Sequence, residues 1–439
     1  MDIIFKAVTV FVDQFLTKPE VLLALVVMLG YLLLKRPADR VISGTIKTAV
    51  GIMILNAGAG LLVQNFQPVT IILKESLGLE GYILDPYAGM PAAMNALGGF
   101  LGNVGYTLLI GFAINLLLVR FTKFKAIYLT GHVMYISSVV MTWMVLHLLG
   151  LNSVATVIIS GVLLGLYWTI FSHLLIRPTA AITTGNLDAK AEDATFTLGH
   201  VQMLADLLAF KFGKKVGKPE NNVEKLNLPS WLNMFQDNVV AVSVIMTIFT
   251  SVFLLIAGVD AIKVQAGDVH WVLYLIQLGL SFAVAITIIL TGVRMFMAEL
   301  VPAFKGISEK ILPGAIPAID CPAVFPYAPK AVLLGFVFTV LGQILGMAIL
   351  GFAGAGLLII PGFVPLFFDG GPVGVYANAS GGWKAIMVFC TLLGVLHIVG
   401  AALVIPISGL AGGWIGDWDW GTLFAPVFYL MKIIGNLIG

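Results

Sequence analysis

PGAIPAIDCPAVFPYAPKAVLLGFVFTVLGQILGMAILG (313–351) holds two kinds of apolar sequence side by side. Residues 331–351 form an unbroken run, long enough to cross a hydrocarbon layer as a helix. Residues 313–329 are nearly as apolar, but five prolines interrupt them and a carboxylate, Asp320, sits between Ile319 and Cys321. Proline removes a backbone donor and stops a helix. Inside lipid, the freed backbone groups are costly unless they are buried in protein or line a wet cavity. The stretch therefore reads as a re-entrant hairpin or an unwound helix, the kind of segment on which membrane transporters build substrate sites.

Two further stretches share this character: DPYAGMPAAMNALGG (85–99) and IPGFVPLFFDGGPVGVYANASGG (360–382). Proline and glycine can also simply kink packed helices, but three clustered breaks argue for the re-entrant reading. Asp85-Pro86-Tyr87-Ala88 parallels Asp320-Cys321-Pro322-Ala323, and Thr48-Ala49-Val50-Gly51 parallels Thr291-Gly292-Val293-Arg294. These echoes hint at a two-repeat design, consistent with an inverted repeat.

Composition sets the environment. Of 439 residues, 59% are hydrophobic and 10% charged, against about 25% charged in ordinary soluble domains. Mean hydropathy is +1.03. A soluble enzyme, a nucleic-acid binder and a disordered chain are excluded, and a β-barrel is excluded because the runs do not alternate. The expected fold is an all-α polytopic membrane protein. Apolar segments fall near 20–34, 46–64, 102–119, 127–148, 153–176, 239–258, 271–292, 331–351, 386–408 and 420–438, giving ten spans, or eleven if the N-terminal segment crosses. That segment, MDIIFKAVTVFVDQF, lacks a signal-peptide cleavage site and reads better as an interfacial helix. Lys and Arg cluster at 35–47, 120–125, 177–225 and 294–310, with two spans between successive clusters, so all four face the cytoplasm. The longest polar stretch, 177–230, is then a cytoplasmic connection.

Polar residues at membrane depth are functional candidates by default. Asp320 could accept bonds from ligand hydroxyls or cap a half-helix. His132 and His200 each follow a glycine (Gly131, Gly199) and could donate to an oxygen-rich ligand or serve only the packing. Asn56 is a ligand contact or an interhelical hydrogen bond, with base rates favouring the second; Gly58 and Gly60 suit close helix packing. Arg294 and Glu299 could form an ion pair or an interface contact. His147, His173, His270 and His397 read as structural, and Cys321 as a small hydrophobe. No metal-ligand pattern, cofactor motif or catalytic triad is present, so neither an enzyme nor ATP hydrolysis is expected.

Several motifs in order resemble the ascorbate-type membrane subunit (enzyme IIC) of the bacterial phosphotransferase system. They are GTIKTAVGIMILNAGAG (44–60), DPYAGM (85–90), LTGHVMY (129–135), LPSWLNMFQDNVV (228–240), GVRMFMAEL (292–300), IPAIDC (316–321) and IIPGFVPLFF (359–368). The galactitol-type subunits are more distant. The resemblance implies a single unit over 1–439, with a scaffold and a mobile core domain interleaved in sequence. It implies a homodimer in the bacterial inner membrane, in contact with lipid, that moves L-ascorbate or a similar small molecule by an elevator-type displacement. A separate IIB protein would phosphorylate the substrate and a IIA protein would supply the phosphoryl group; no nucleic acid is involved. An ion-gradient-driven secondary transporter, with Asp320 or a histidine carrying a proton, is the competing reading.

The substrate-binding residues implied are Pro86, Tyr87, the segment His132, Val133, Met134, Tyr135 and Ile136, then His200, Val201 and Asp320, with Asn56 beside them. The family has glutamine where this chain has Asn56, Ile136 and Val201, and threonine where it has Pro86. Amide groups that would bond a polyhydroxylated ligand are thus shortened or lost, at about 1–3 kcal/mol for each unmet partner.

Overall fold

The computed structural model describes residues 10, 18–77, 81–225, 238–357, 359–362 and 364–438. The N-terminal segment, apart from Val10, and residues 228–237 of the fourth family motif lie outside the described residues. Among the described residues, seven helical stretches are long and apolar enough to cross a membrane, and three shorter apolar helices cover 20–33, 242–252 and 424–438. Together these fall on the ten expected segments, and the all-α polytopic class holds.

In chain order the elements are α1 (Pro19–Leu33), α2 (Ala38–Leu77), β1 (Tyr82–Leu84), α3 (Pro86–Leu97), α4 (Val104–Phe121), β2 (Ala126–Tyr128), α5 (Gly131–Leu149), α6 (Ser153–Leu174), α7 (Ile176–Thr184), β3 (Thr197–Leu198) and α8 (Met203–Val216). They continue as α9 (Asn238–Ala257), α10 (Val259–Ala266), α11 (Trp271–Lys310), β4 (Ile316–Ile319), α12 (Pro329–Phe352), β5 (Ile359–Pro361), α13 (Gly370–Ser408), β6 (Gly413–Trp414), α14 (Trp418–Gly421) and α15 (Phe424–Ile438). A 3-10 turn, Cys321–Tyr327, follows β4, and a short π-helix, Pro365–Asp369, leads into α13. Helices α2 and α11 are each 40 residues long, well beyond the 46–64 and 271–292 read from hydropathy. At about 1.5 Å per residue each reaches roughly twice the hydrocarbon thickness, so the polar ends of these helices continue past their apolar parts.

The chain contains two copies of one element order: long helix, short strand, Asp, broken helix, helix, strand, helical hairpin, strand. Among the described residues, six strands form two three-stranded parallel sheets, ordered β5-β1-β6 and β2-β4-β3. Each central strand is flanked only by strands of the other half. The registers agree: Leu84 pairs with Trp414 as Ile319 pairs with Leu198, and Tyr82 with Ile359 as Pro317 with Ile127. The leading helices run antiparallel. Arg40 meets Glu299, Gly51 packs at Gly292, and Gly58 at Ala285. Antiparallel leading helices are what an inverted repeat requires, so the short Asp-Pro echo marks a repeat that spans most of the chain.

Helix α13 is a hairpin. Gly382 has φ 67° and ψ −160°, a conformation that glycine adopts without strain. Asp369 and His397, 28 residues apart in sequence, approach to 3.0 Å; a straight helix would hold them about 42 Å apart. Residues 370–381 and 383–408 are therefore two legs. Counted from the matched strands, Gly382 stands where Gly150 turns the chain between α5 and α6 (φ 62°).

The helices pack in two groups. In the first, α2 and α11 lie along each other and against α1 and α9, with α10 at the end. Glu299 of α11, only 4% exposed, ties this group together: Arg40 lies 2.8 Å away, the Tyr31 hydroxyl donates at 2.7 Å and Lys47 is at 3.8 Å. Glu299 thus pairs with α2 and α1 rather than with Arg294, which is exposed. The second group holds the hairpins, α4, α12, both sheets and the C-terminal helices. The 177–230 stretch is more than a solvated loop. Its middle supplies β3 and the helix α8, which lies on α13, with Gly213 against Ser380 and Gly217 against the Gly381 carbonyl.

Candidate functional site

The broken segments converge. Strand β1 ends at Asp85 and strand β4 at Asp320, each opening a helical turn through a proline-containing step. Asp320 Oδ1 accepts the Cys321 N–H at 2.8 Å, capping its own half-helix. Asp320 Oδ2 faces His132 Nε2 at 3.5 Å. Asp85 Oδ2 accepts the Val364 N–H at 3.2 Å. By strand register, His132 and Val364 occupy equivalent positions, so each aspartate meets the start of the other half's hairpin.

Between these units lies a cavity of about 450 Å³, within the usual range for small-molecule sites. Asn56, Pro86, His132, Val133, Tyr135, Ile136, His200, Val201 and Asp320 all line it. Met134 does not. It is fully buried, and its carbonyl accepts the Ser138 hydroxyl at 2.7 Å. Consecutive residues of a helix cannot all face one side, so one of the five residues 132–136 turns away. The Tyr87 side chain lies outside the described residues. Asn56 is exposed on the wall and forms no interhelical bond with the described residues. Gly58 packs tightly against α11 as expected, whereas Gly60 has open space around it and borders the cavity.

His200 is the most firmly held group on the wall. It is 2% exposed, and its Nε2 lies 2.5 Å from Asp206 Oδ2, itself fully buried. The Tyr128 hydroxyl donates to the His200 carbonyl at 3.1 Å. The Tyr167 hydroxyl donates to Asp419 at 2.5 Å, fixing the loop that carries β6 beside it. Gly199 allows this: a Cβ there would come within 3.0 Å of the Tyr128 ring. A carboxylate only accepts, so the Nε2 proton of His200 is committed to Asp206. Among the described residues its Nδ1 is buried without a partner, as is His132 Nδ1. Two imidazole nitrogens without a partner thus belong to residues that line the cavity.

The wall also holds residues that sequence reading passed over: Gln202, whose amide donates to the Phe368 carbonyl at 2.7 Å, and the carboxyls of Asp369 and Asp417. Asp369 lies inside the third interrupted stretch and Asp417 in WIGDWDWG (414–421). The available signal was acidic residues within apolar and aromatic runs. Cys321 borders the cavity and is 3% exposed. His397 is not merely packed, since it bridges Asp369 and Gln343. His173 and His270 keep structural roles, accepting the Lys125 and Val272 N–H groups.

Half-helices that meet around a chamber with polar groups on its wall, inside a multi-pass helical bundle, define the class: a membrane transport protein. The family model for the PTS system sugar-specific permease component matches residues 14–421, and the chain belongs to that family. A relative from Mycoplasma pneumoniae, described as an ascorbate-specific PTS system EIIC component, is 34% identical over 448 aligned positions. The match covers 90% of this chain and 66% of the relative, so the chain spans a little under two thirds of the relative's length.

Proposed function

We propose that this permease component takes up L-ascorbate or a closely related carbohydrate-like solute, binds it in the 450 Å³ cavity, and releases it to a separate IIB protein for phosphorylation, with a IIA protein as phosphoryl source. The observation that carries this reading is the convergence of His132, His200 and Asp320, from three separate segments, on one chamber between two broken-helix units. Ascorbate is a small anion rich in hydroxyls. The N-terminal ends of the half-helices suit its charged edge, and the imidazoles and Asp320 suit its hydroxyls.

The two packing groups support an elevator-type movement. The group of α1, α2, α9, α10 and α11 would be a scaffold, carrying the expected homodimer contact, and the remainder a mobile core. Most of the cavity wall belongs to the core, while Leu55, Asn56 and Gly60 come from α2. A cavity at that boundary changes its exposure when one group slides past the other. The 177–230 connection would lie on the cytoplasmic side.

The test has two stages. Purified protein is titrated calorimetrically with ascorbate, galactitol, pentitols and related acids; ascorbate should bind most tightly. Uptake is then measured in proteoliposomes with and without phosphotransfer proteins. Accumulation of phosphorylated solute only when they are present supports the proposal. Gradient-driven accumulation of unmodified solute in their absence would replace it with secondary transport.

A further inference from the structure

The cavity has a second polar pole that the family motifs do not account for. Asp369, at the start of the second hairpin, and Asp417, just after β6, both border it and are 1% and 3% exposed. By strand register Asp417 stands where Val201 does, and Asp369 where Ser137 does. The imidazoles have no such counterparts: Val364 stands where His132 does and Gly416 where His200 does. One half of the repeat thus brings histidines to the chamber, and the other brings carboxyls.

Their bonding fixes what these carboxyls offer. The Gln343 amide nitrogen lies 3.0 Å from His397 Nδ1, and His397 Nε2 lies 3.0 Å from Asp369 Oδ2. An amide NH₂ only donates, so Nδ1 accepts and the Nε2 proton goes to Asp369. Asp369 lies beside the Asp417 carboxyl. Two buried carboxyls side by side do not both ionise. The His397 N–H favours the charge on Asp369, so the proton belongs to Asp417. Asp417 Oδ2 is buried and receives no N–H or O–H donor among the described residues, and His200 Nδ1 is in the same condition. Buried acids at such depth are costly to keep without use.

We infer that the Asp369–Asp417 pair is a second hydrogen-bonding pole of the cavity, which takes alcohol hydroxyls of a polyhydroxylated solute that also contacts His132, His200 and Asp320. This rests on the cavity being the substrate site. Asp417 is the contact residue; Asp369, anchored by His397, positions it. The pole selects for hydroxyls and against a second negative charge at that end. It also supplies polar groups beside Val201, whose carbonyl accepts the Asp419 N–H at 3.4 Å.

The experiment measures discrimination, which a purely structural role would not alter. Affinities of the full-length protein for L-ascorbate and 6-deoxy-L-ascorbate are compared by calorimetry. Galactitol is compared in the same way with L-fucitol, which lacks one terminal hydroxyl. The wild type should prefer the hydroxylated member by about tenfold or more. In Asp417→Leu, and in Asp417→Ala if the first variant is not monodisperse, that preference should fall to within about twofold, with the melting temperature checked alongside. A wild type that binds both members equally overturns the inference without any variant, and so does a variant that keeps the full preference. If the protein binds galactitol and not ascorbate, the substrate reading falls while the galactitol pair still tests the carboxyls. If it binds neither, both fall.

Discussion

Asp85 and Asp320 hold the same place in two copies of one unit, yet they meet different partners. Asp85 accepts a backbone N–H from Val364. Asp320 caps its own half-helix and turns its other oxygen toward the His132 ring. The difference teaches that the repeat supplies the chamber, while chemistry is added by breaking the symmetry. Where one half has His132 and His200, the other has Val364 and Gly416; where one has Val201, the other has Asp417. A symmetric chamber would suit a symmetric solute. This one draws unlike groups from its two halves.

The sharpest way to break the comparison is to remove matched residues. Asp320→Ala or His200→Ala should weaken ascorbate binding by about 100-fold or more, because a buried partner is then left unmet. Asp85→Ala should hold affinity within about tenfold and lower the melting temperature instead. Calorimetry and thermal unfolding on the same preparations separate the two; equal losses of binding would mean that the two aspartates do the same work. Gly416→Ala tests why the second half lacks a histidine. Gly416 sits at φ 87°, and a Cβ added there would come within 3.0 Å of the Leu84 backbone and the Pro365 ring. The substitution should cost about 1–3 kcal/mol of stability, read as a lower melting temperature. An unchanged melting temperature would show that the position tolerates side chains.

A smaller effect is expected from added polarity on the histidine half. Ile136→Gln or Val201→Gln should tighten ascorbate binding by up to about tenfold. No change in either variant would place the ligand elsewhere in the chamber.

The smallest effect belongs to the connection that only the first half carries. Glu224 Oε1 accepts the Ala331 N–H at 2.9 Å at the start of α12. Burial raises its pKa, opposed by the backbone amides of Ala331 and Lys330 and by the Lys330 charge. A raised pKa means that the folded state holds the proton more tightly than the unfolded chain. Stability from this group is therefore fullest below its ordinary range and declines as pH rises through the folded value. Glu224→Gln should raise the melting temperature more at pH 8 than at pH 4; the opposite trend would show that the charged form is the favoured one.

Much of this was legible in the sequence because proline and glycine in apolar runs have few physical outcomes. The three interrupted stretches, the Asp-Pro echo, and His132, His200 and Asp320 on one wall all follow from it. What escaped reading has equally physical causes. The strands are two to four residues long, too short for an alternation to register, and their partners lie in the other half of the chain. Hydropathy sees apolar length but not the reversal at Gly382. Asp369 and Asp417 were hidden because carboxyls among aromatic residues resemble a span's interfacial end; only folding buries them against His397 and Trp418. Helical phase removes Met134 from a run that the motif alone would take whole.

The exchange of strands has a consequence for how this chain is made. β1 emerges long before β5 and β6, and β4 pairs only with β2 and β3. During synthesis the N-terminal portion must wait in the bilayer with its sheet edges unmatched until the C-terminal portion arrives. Neither fragment expressed alone should become protease-resistant, whereas co-expressed fragments divided between α8 and α9 should assemble, each completing what the other left open.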